Sequence, residues 1–153
     1  RSGPVVAKLD WGRARQVYNI RSLLEADAAS ACARIADAKI KVRLRKALAN
    51  LEAAFSDASP GRVYEATTRF YETIFTSAGQ DIAWEVVQRL NGRISRLRAL
   101  TLATTDRRIS GPAHMARICE AICNNDAAAA ARAVNDHLND ASEIARVLLE
   151  NEN

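Results

Sequence analysis

The stretch Gly111 to Leu149, GPAHMARICEAICNNDAAAAARAVNDHLNDASEIARVLL, decides the fold of this chain. Its composition and the short turn at residues 123–126 predict two helices joined as an antiparallel hairpin. The hairpin carries both histidines of the chain. His114 precedes the turn by about ten residues and His137 follows it by about eleven, which places both at one height at a rise of ~1.5 Å per residue. From their spacing alone, the two imidazoles either face one cavity or lie partly exposed on their own helices.

The whole composition is that of a helical domain of ordinary size. The chain has 153 residues, of which 48% are hydrophobic and only 5% aromatic. This predicts an all-α protein, an antiparallel bundle of six or seven helices. Without an apolar run of about 18–20 residues or a signal peptide, we expect a cytoplasmic protein with no membrane partner. The first residue is Arg1, so we expect a fragment of a longer protein.

The hydrophobic spacing predicts the individual helices. The first spans about residues 11–37, with a bend near Asp27, which could cap a new helix. Another is expected from about Val42 to Asp57. Ser59 and Pro60 start a further helix that ends before Gly79. A long helix follows over residues 81–101.

The position of each arginine relative to the apolar stripe of the 81–101 helix predicts whether its side chain is solvated. Arg89, Arg96 and Arg98 fall on the solvated side, whereas Arg93 borders the apolar stripe. An arginine at such an edge either forms a structural salt bridge or points its head into a polar cavity.

Several function classes find no support. The chain shows no nucleophile with an adjacent base and no carboxylate pair at a shared site, so we do not expect an enzyme. The three cysteines have no zinc spacing, and Cys119 and Cys123, four apart, are expected to pack as small apolar residues. A net charge of +4 is mild and does not by itself indicate a nucleic-acid surface.

Four segments together resemble the FCD domain, the C-terminal effector-sensing domain of FadR-type regulators in the GntR family of transcription factors. They are VYNIRSLLE at 17–25, TTRFY at 67–71, RISRLRAL at 93–100 and HMARICEAICNNDAAAAARAVNDHL at 114–138. The resemblance implies an FCD-like ligand-binding and dimerisation domain over residues 11–153. Residues 1–10 look like a linker and the remnant of a winged helix-turn-helix domain.

The resemblance also implies a metal site, of which this chain keeps half. The family usually holds a divalent ion with an Asp and a His four apart on one helix, and with one His from each arm of the closing hairpin. His114 and His137 match the hairpin positions, whereas Thr67 and Tyr71 stand at the other two. Zinc, nickel or manganese would then be held weakly, by His114 and His137 alone.

The predicted ligand pocket combines these positions with three others. Arg21 matches a family arginine that meets the carboxylate of an organic-acid effector, and Ser110 falls where a polar contact is often found. Arg93 is added from periodicity. The predicted ligand-binding set is Arg21, Thr67, Tyr71, Arg93, Ser110, His114 and His137.

The resemblance therefore predicts a sensor domain that binds a small carboxylate, forms a homodimer and contacts DNA only through an N-terminal domain outside this chain. The alternative is a dimerisation module with a degenerate, ligand-free pocket, which the loss of two ligands at Thr67 and Tyr71 would also fit.

Overall fold

The computed structural model describes residues 9–57, 59–104 and 111–151. Within these ranges the chain forms seven helices and no strand, which confirms the predicted all-α fold. The helices are α1 (Trp11–Ile35), α2 (Ala38–Ser56), α3 (Pro60–Ser77), α4 (Asp81–Arg93), α5 (Ser95–Ala103), α6 (Gly111–Cys123) and α7 (Ala127–Asn151). None of the helices in the described ranges combines the length and apolar character that a membrane-spanning helix needs. The predicted linker at 1–10 lies mostly outside these ranges and stays a prediction.

The first helix is the centre of the bundle. It packs against α3, α4, α6 and α7, with its longest contact along α7. The predicted bend near Asp27 is wrong, because α1 continues without a break to Ile35. Asp27 instead lies exposed and accepts a hydrogen bond from Gln80 Nε2 at 3.1 Å. No Gly or Pro interrupts this part of α1, so nothing forces a new helix start.

Aspartates begin three of the helices. Asp10 accepts a hydrogen bond from the Arg13 amide, and Asp37 accepts one from the Ile40 amide. Asp126 does the same for the amide of Ala129. Each carboxylate satisfies a backbone N–H that has no partner inside the helix. The Asp37 cap starts α2 four residues before the predicted Val42.

The predicted long helix over 81–101 is two helices. Ile94 leaves the helical conformation, with φ −123° and ψ 22°, and separates α4 from α5. Gly92 lies just before this break and lowers the helix propensity of the last turn of α4. The break changes which side chains of α5 face the interior.

Both turns predicted at the helix ends are confirmed. Gly79 follows α3 with φ +70°, the left-handed conformation that glycine adopts without strain. Asn125 adopts φ +56° in the turn between α6 and α7. Its side-chain amide donates to the carbonyls of Ala33 and Ala36 at 2.9 and 3.0 Å, and its Oδ1 accepts from Lys41 Nζ at 2.7 Å. One side chain thus connects the hairpin turn to the ends of α1 and α2.

Candidate functional site

The two histidines face each other inside the bundle, so the alternative that they lie partly exposed on their own helices is wrong. His114 on α6 and His137 on α7 are 1% and 4% exposed, and their ring centroids are 5.3 Å apart. His114 Nε2 lies 2.6 Å from Asp140 Oδ2, one turn further along α7. His114 Nδ1 is buried with no hydrogen-bond partner among the described residues. The antiparallel hairpin and its short turn bring the two imidazoles to one height.

Arg21 projects from α1 into the interior and is held by its own helix. Its Nε donates to Glu25 Oε2 at 2.7 Å and its Nη2 donates to Oε1 at 3.3 Å. Both side chains are buried. Burial by itself lowers the pKa of Arg21, but the adjacent Glu25 carboxylate outweighs this effect and the pKa is raised. Arg21 is therefore charged and already paired.

A second arginine, Arg98 on α5, is buried as deeply. It is 3% exposed, although its phase in an unbroken helix predicted a solvated side chain. Its Nη1 donates to Thr68 Oγ1 at 3.2 Å, and its guanidinium carbon lies 4.8 Å from the centre of the Tyr64 ring. Both partners are neutral. The expectation of a surface position for Arg98 is wrong because the break at Ile94 rotates α5 relative to α4.

Charge does not balance in this part of the interior. Among the described residues, the buried side chains that are charged at neutral pH are Arg21, Arg98 and Glu25. Burial lowers the pKa of Arg98, and the neighbouring Arg21 lowers it further, while Glu25 opposes the shift. Two guanidiniums thus share one carboxylate. Such an excess of buried charge is costly unless an anion joins it.

Tyr71 on α3 lies within this charged cluster. Burial raises its pKa well above 10.0, and the Glu25 carboxylate raises it further, whereas Arg21 and Arg98 lower it. The hydroxyl lies beside Glu25 without making a hydrogen bond of ordinary geometry to a described residue. A neutral phenol in this position can donate a hydrogen bond to an anion. Thr67, one turn earlier, is also buried but donates its hydroxyl to the carbonyl of Val63 at 2.8 Å.

The family model described as the FCD domain matches residues 16–140. The chain belongs to the FCD domain family. FCD domains are regulatory modules that bind effectors, so membership indicates an effector-binding domain of a GntR-type regulator. No curated protein matches this chain.

The metal that FCD domains usually hold does not fit the residues of this one. Thr67 and Tyr71 are neutral hydroxyls, and the Thr67 hydroxyl proton is already donated to backbone. The Nε2 of His114 is engaged by Asp140. Within the described ranges, no group of three or more His, Cys, Asp or Glu side chains is arranged to hold a metal ion. A weak ion on His114 and His137 alone stays a prediction.

The other predicted site residues divide into two groups. Arg21, Thr67, Tyr71, His114 and His137 are buried in this FCD domain, and their role in ligand binding stays a prediction. Arg93 is exposed, so its predicted position at the edge of the core is wrong. The reason is again the helix end, since Arg93 is the last residue of α4. Ser110 lies outside the described residues.

Three charged residues near the site escaped the sequence reasoning. Glu25 carried a signal, because its spacing of four from Arg21 places both on one helix face. Arg98 could not be assigned without knowing the break at Ile94. Asp140 had no signal, since its approach to His114 depends on how α6 and α7 pack.

Proposed function

We propose that this FCD domain is the effector sensor of a FadR-subfamily regulator and that it binds a small carboxylate in the bundle without needing a metal ion. The observation that carries the proposal is the buried charge excess. Arg98 has no carboxylate of its own, because the buried Glu25 is occupied by Arg21. A ligand carboxylate would supply the missing negative charge and could accept two parallel hydrogen bonds from a guanidinium.

The neighbouring groups suit the same ligand. The Tyr71 phenol stays neutral, since burial raises its pKa, and it has a proton to donate. Elsewhere in the bundle, His114 Nδ1 is buried with no described partner. Within an otherwise apolar core, the Tyr71 hydroxyl would orient a carboxylate bound at Arg98.

The effector would act by shifting a population. A ligand that binds one arrangement of the helices better than another favours that arrangement by the difference in its binding free energy. In a dimer, such a shift would change the spacing of two N-terminal winged helix-turn-helix domains and so their grip on a palindromic DNA site. The domain itself is proposed to be a regulator and not an enzyme.

Calorimetric titration of candidate organic acids into chelator-treated protein tests this proposal. We expect stoichiometric binding of at least one small carboxylate, with an affinity that added zinc or nickel leaves within about twofold. If chelator abolishes binding and metal restores it, the site uses a metal despite Thr67 and Tyr71. That result would contradict the metal-free site.

The second candidate is a dimerisation module with a ligand-free pocket. The substitutions at the two ligand positions favour it, because loss of metal ligands is what decay of a sensor would leave. Mass spectrometry of small molecules released from the purified protein separates the two candidates. A copurified carboxylate at near one per chain supports the sensor, whereas an empty protein that binds none of a broad panel of acids supports the ligand-free module.

A further inference from the structure

The most concentrated charge on this molecule lies on α2 and has no role in the effector site. Five of the eight residues 39–46 are Lys or Arg, and α2 has no acidic residue before Glu52. We define these five, Lys39, Lys41, Arg43, Arg45 and Lys46, as the α2 basic face. Within it, Lys39, Arg43 and Lys46 follow one another at spacings of four and three and share the side of the helix next to α3, whereas Lys41 and Arg45 lie on the side towards α6. Four of the five are exposed, and Lys41 is half-buried. Without these five residues the chain's net charge of +4 would be negative.

The α2 basic face is not neutralised within the described structure. None of its side chains forms an ion pair with a described residue, and Lys41 bonds only to the neutral Asn125. Arg43 and Lys46 line a groove of about 530 Å³ between α2 and α3. On the opposite side of that groove, Arg62 and Arg69 pair with Asp57 and Glu65. The open positive charge therefore belongs to α2.

This arrangement is unfavourable for the helix itself. Lys39 and Lys41 lie in the first turn, where the helix dipole is positive and favours acidic side chains. Lys39 and Arg43 are four apart, as are Lys41 and Arg45, and like charges at that spacing repel each other. Helix stability thus does not account for the five cations. An external polyanion would turn the repulsion into attraction.

We propose that the α2 basic face binds the phosphate backbone of duplex DNA without reading its sequence. Residues 39–46 span about 10 Å of helix axis, since each residue adds ~1.5 Å. Duplex DNA carries one negative charge per about 1.7 Å of its axis, so about six phosphates face that length. Three cations, Lys39, Arg43 and Lys46, share one side of the helix and can meet about half of these phosphates together. The flexible ends of Lys and Arg can reach phosphates without a preformed pocket.

Other polyanions are less well matched. A membrane surface would need apolar anchors beside the cations, and Val42 is the large exposed apolar side chain within this segment. An acidic protein segment presents carboxylates at lower linear density than DNA presents phosphates. The length of α1 separates the start of α2 from Trp11 by about 36 Å, so a DNA-binding domain joined before Trp11 need not cover the face.

The inference goes beyond the proposed function, because a chain that binds no effector could still bind DNA through α2. A positive net charge allows weak, non-specific binding to DNA but does not say which surface binds. The inference assigns this binding to the α2 basic face. The contacts would add affinity for any duplex near the regulator and no specificity.

Fluorescence anisotropy with a labelled duplex of arbitrary sequence tests the inference on residues 1–153. If Lys39, Arg43 and Lys46 each contact a phosphate, affinity should fall by about 40-fold between 50 and 200 mM salt. The triple variant K39Q/R43Q/K46Q keeps good helix formers and removes these three contacts. Its affinity should be weaker at 50 mM and should fall by less than about fourfold over the same salt range.

The matched control is R89Q/R96Q/R132Q, which removes the same charge from exposed arginines on α4, α5 and α7. It should retain the wild-type salt dependence. Equal loss in the two variants would mean that only net charge matters and would overturn the inference. So would tighter binding of polyglutamate than of duplex at equal ionic strength, which would point to an acidic protein partner.

Circular dichroism and the carboxylate titration of the triple variant complete the test. Retained helix content and retained effector binding, with DNA binding lost, support the α2 basic face specifically. If the titration finds no effector but the face still binds DNA, the proposed function fails and this inference stands. If the wild-type chain binds no duplex at 50 mM salt, the inference fails whatever the effector result.

Discussion

Arg98 is a buried cation whose direct contacts in the bundle are neutral groups. Its hydrogen bond and its ring contact both go to neutral groups, Thr68 and Tyr64. Burial and Arg21 lower its pKa, yet a guanidinium stays protonated in proteins at neutral pH. Its charge is therefore available to a ligand, whereas that of Arg21 is shared with Glu25.

We predict that Arg98→Gln weakens binding of the best carboxylate by at least about tenfold, because it removes a charge-assisted hydrogen bond worth roughly 1.5–3 kcal/mol. Calorimetry measures this directly. The control is Arg96→Gln, an exposed position on the same helix, which should bind within about twofold of wild type. Equal affinity of Arg98→Gln and Arg96→Gln would remove Arg98 from the site.

The buried cysteines give a prediction about alkaline pH. Burial raises the pKa of the Cys32 thiol from 9.0 to about 11. Above pH 9 the unfolded chain then loses the Cys32 proton while the folded chain keeps it, so stability falls as pH rises toward 11. Urea denaturation at several pH values should show a steeper loss for wild type than for Cys32→Ala. Parallel curves for the two proteins would contradict this assignment.

The thiols should also resist chemistry in the folded state. Cys32, Cys119 and Cys123 are all buried, and burial raises the pKa of Cys119 to about 12. Because the thiolate is the reactive form, a thiol reagent at pH 8 should label none of the three in native protein and all three after denaturation. Rapid labelling of native protein would mean that α1 and α6 separate often.

At the scale of elements, Asn125 determines how three helix ends meet. Its backbone takes the left-handed conformation that the α6–α7 turn needs, and its side chain reaches α1 and α2. Asparagine tolerates this conformation better than most residues. The turn therefore fixes the hairpin and, through it, the height of His114 and His137.

Two substitutions separate the backbone and side-chain roles of Asn125. Asn125→Gly keeps the conformation and loses the hydrogen bonds, so it should cost about 1–2 kcal/mol of unfolding free energy. Asn125→Ala loses both and should cost about 2–4 kcal/mol. Chemical denaturation measures both. A smaller loss for alanine than for glycine would show that strain at this position is unimportant.

At the scale of the whole molecule, large apolar side chains remain exposed on α1 and α4. Leu23 and Ile82 are each 73% exposed. The Asp27–Gln80 hydrogen bond joins the two helices, with Leu23 one turn before Asp27 and Ile82 two residues after Gln80. A second copy related by a twofold axis could cover both. We therefore keep the homodimer as a prediction.

Sedimentation of Leu23→Glu/Ile82→Glu tests that surface. The wild-type chain should sediment as a dimer at micromolar concentration, and the double variant as a folded monomer, because two buried carboxylates would be unpaired in the interface. Val147→Glu, an exposed apolar position on α7, serves as the control and should stay dimeric. A wild-type monomer at these concentrations would refute the dimer.

The amino-acid sequence by itself determined the helical fold and the common height of the two histidines, whereas the packing of α6 against α7 decided that their rings face each other. Alanine-rich segments and helical spacing are local signals, and Asp10, Asp37 and Asp126 begin helices through bonds within four residues. The two-helix hairpin is also local, because its turn is short. His114 and His137 therefore could be placed at one height by counting residues from that turn.

The cluster of positive charge on α2 is also visible within a short segment of the sequence, but the net charge of the whole chain does not reveal it. The five cations of the α2 basic face lie within eight residues of the printed sequence. Acidic residues elsewhere offset most of the positive charge, so the chain's net charge is only +4. What the sequence does not give is their lack of partners, since ion pairs between helices depend on packing.

Only the tertiary structure decided which charges lie inside. Whether Arg93 or Arg98 is buried depends on the break at Ile94, where one residue outside helical geometry changes the phase of all that follow. Arg98 has no carboxylate partner because Glu25 pairs with Arg21. The contact between His114 and Asp140 depends on the packing of α6 against α7. The Arg21–Glu25 pair follows from a spacing of four within α1, but the surroundings of Arg98 and the His114–Asp140 contact join residues on separate helices, and no spacing along one helix specifies them.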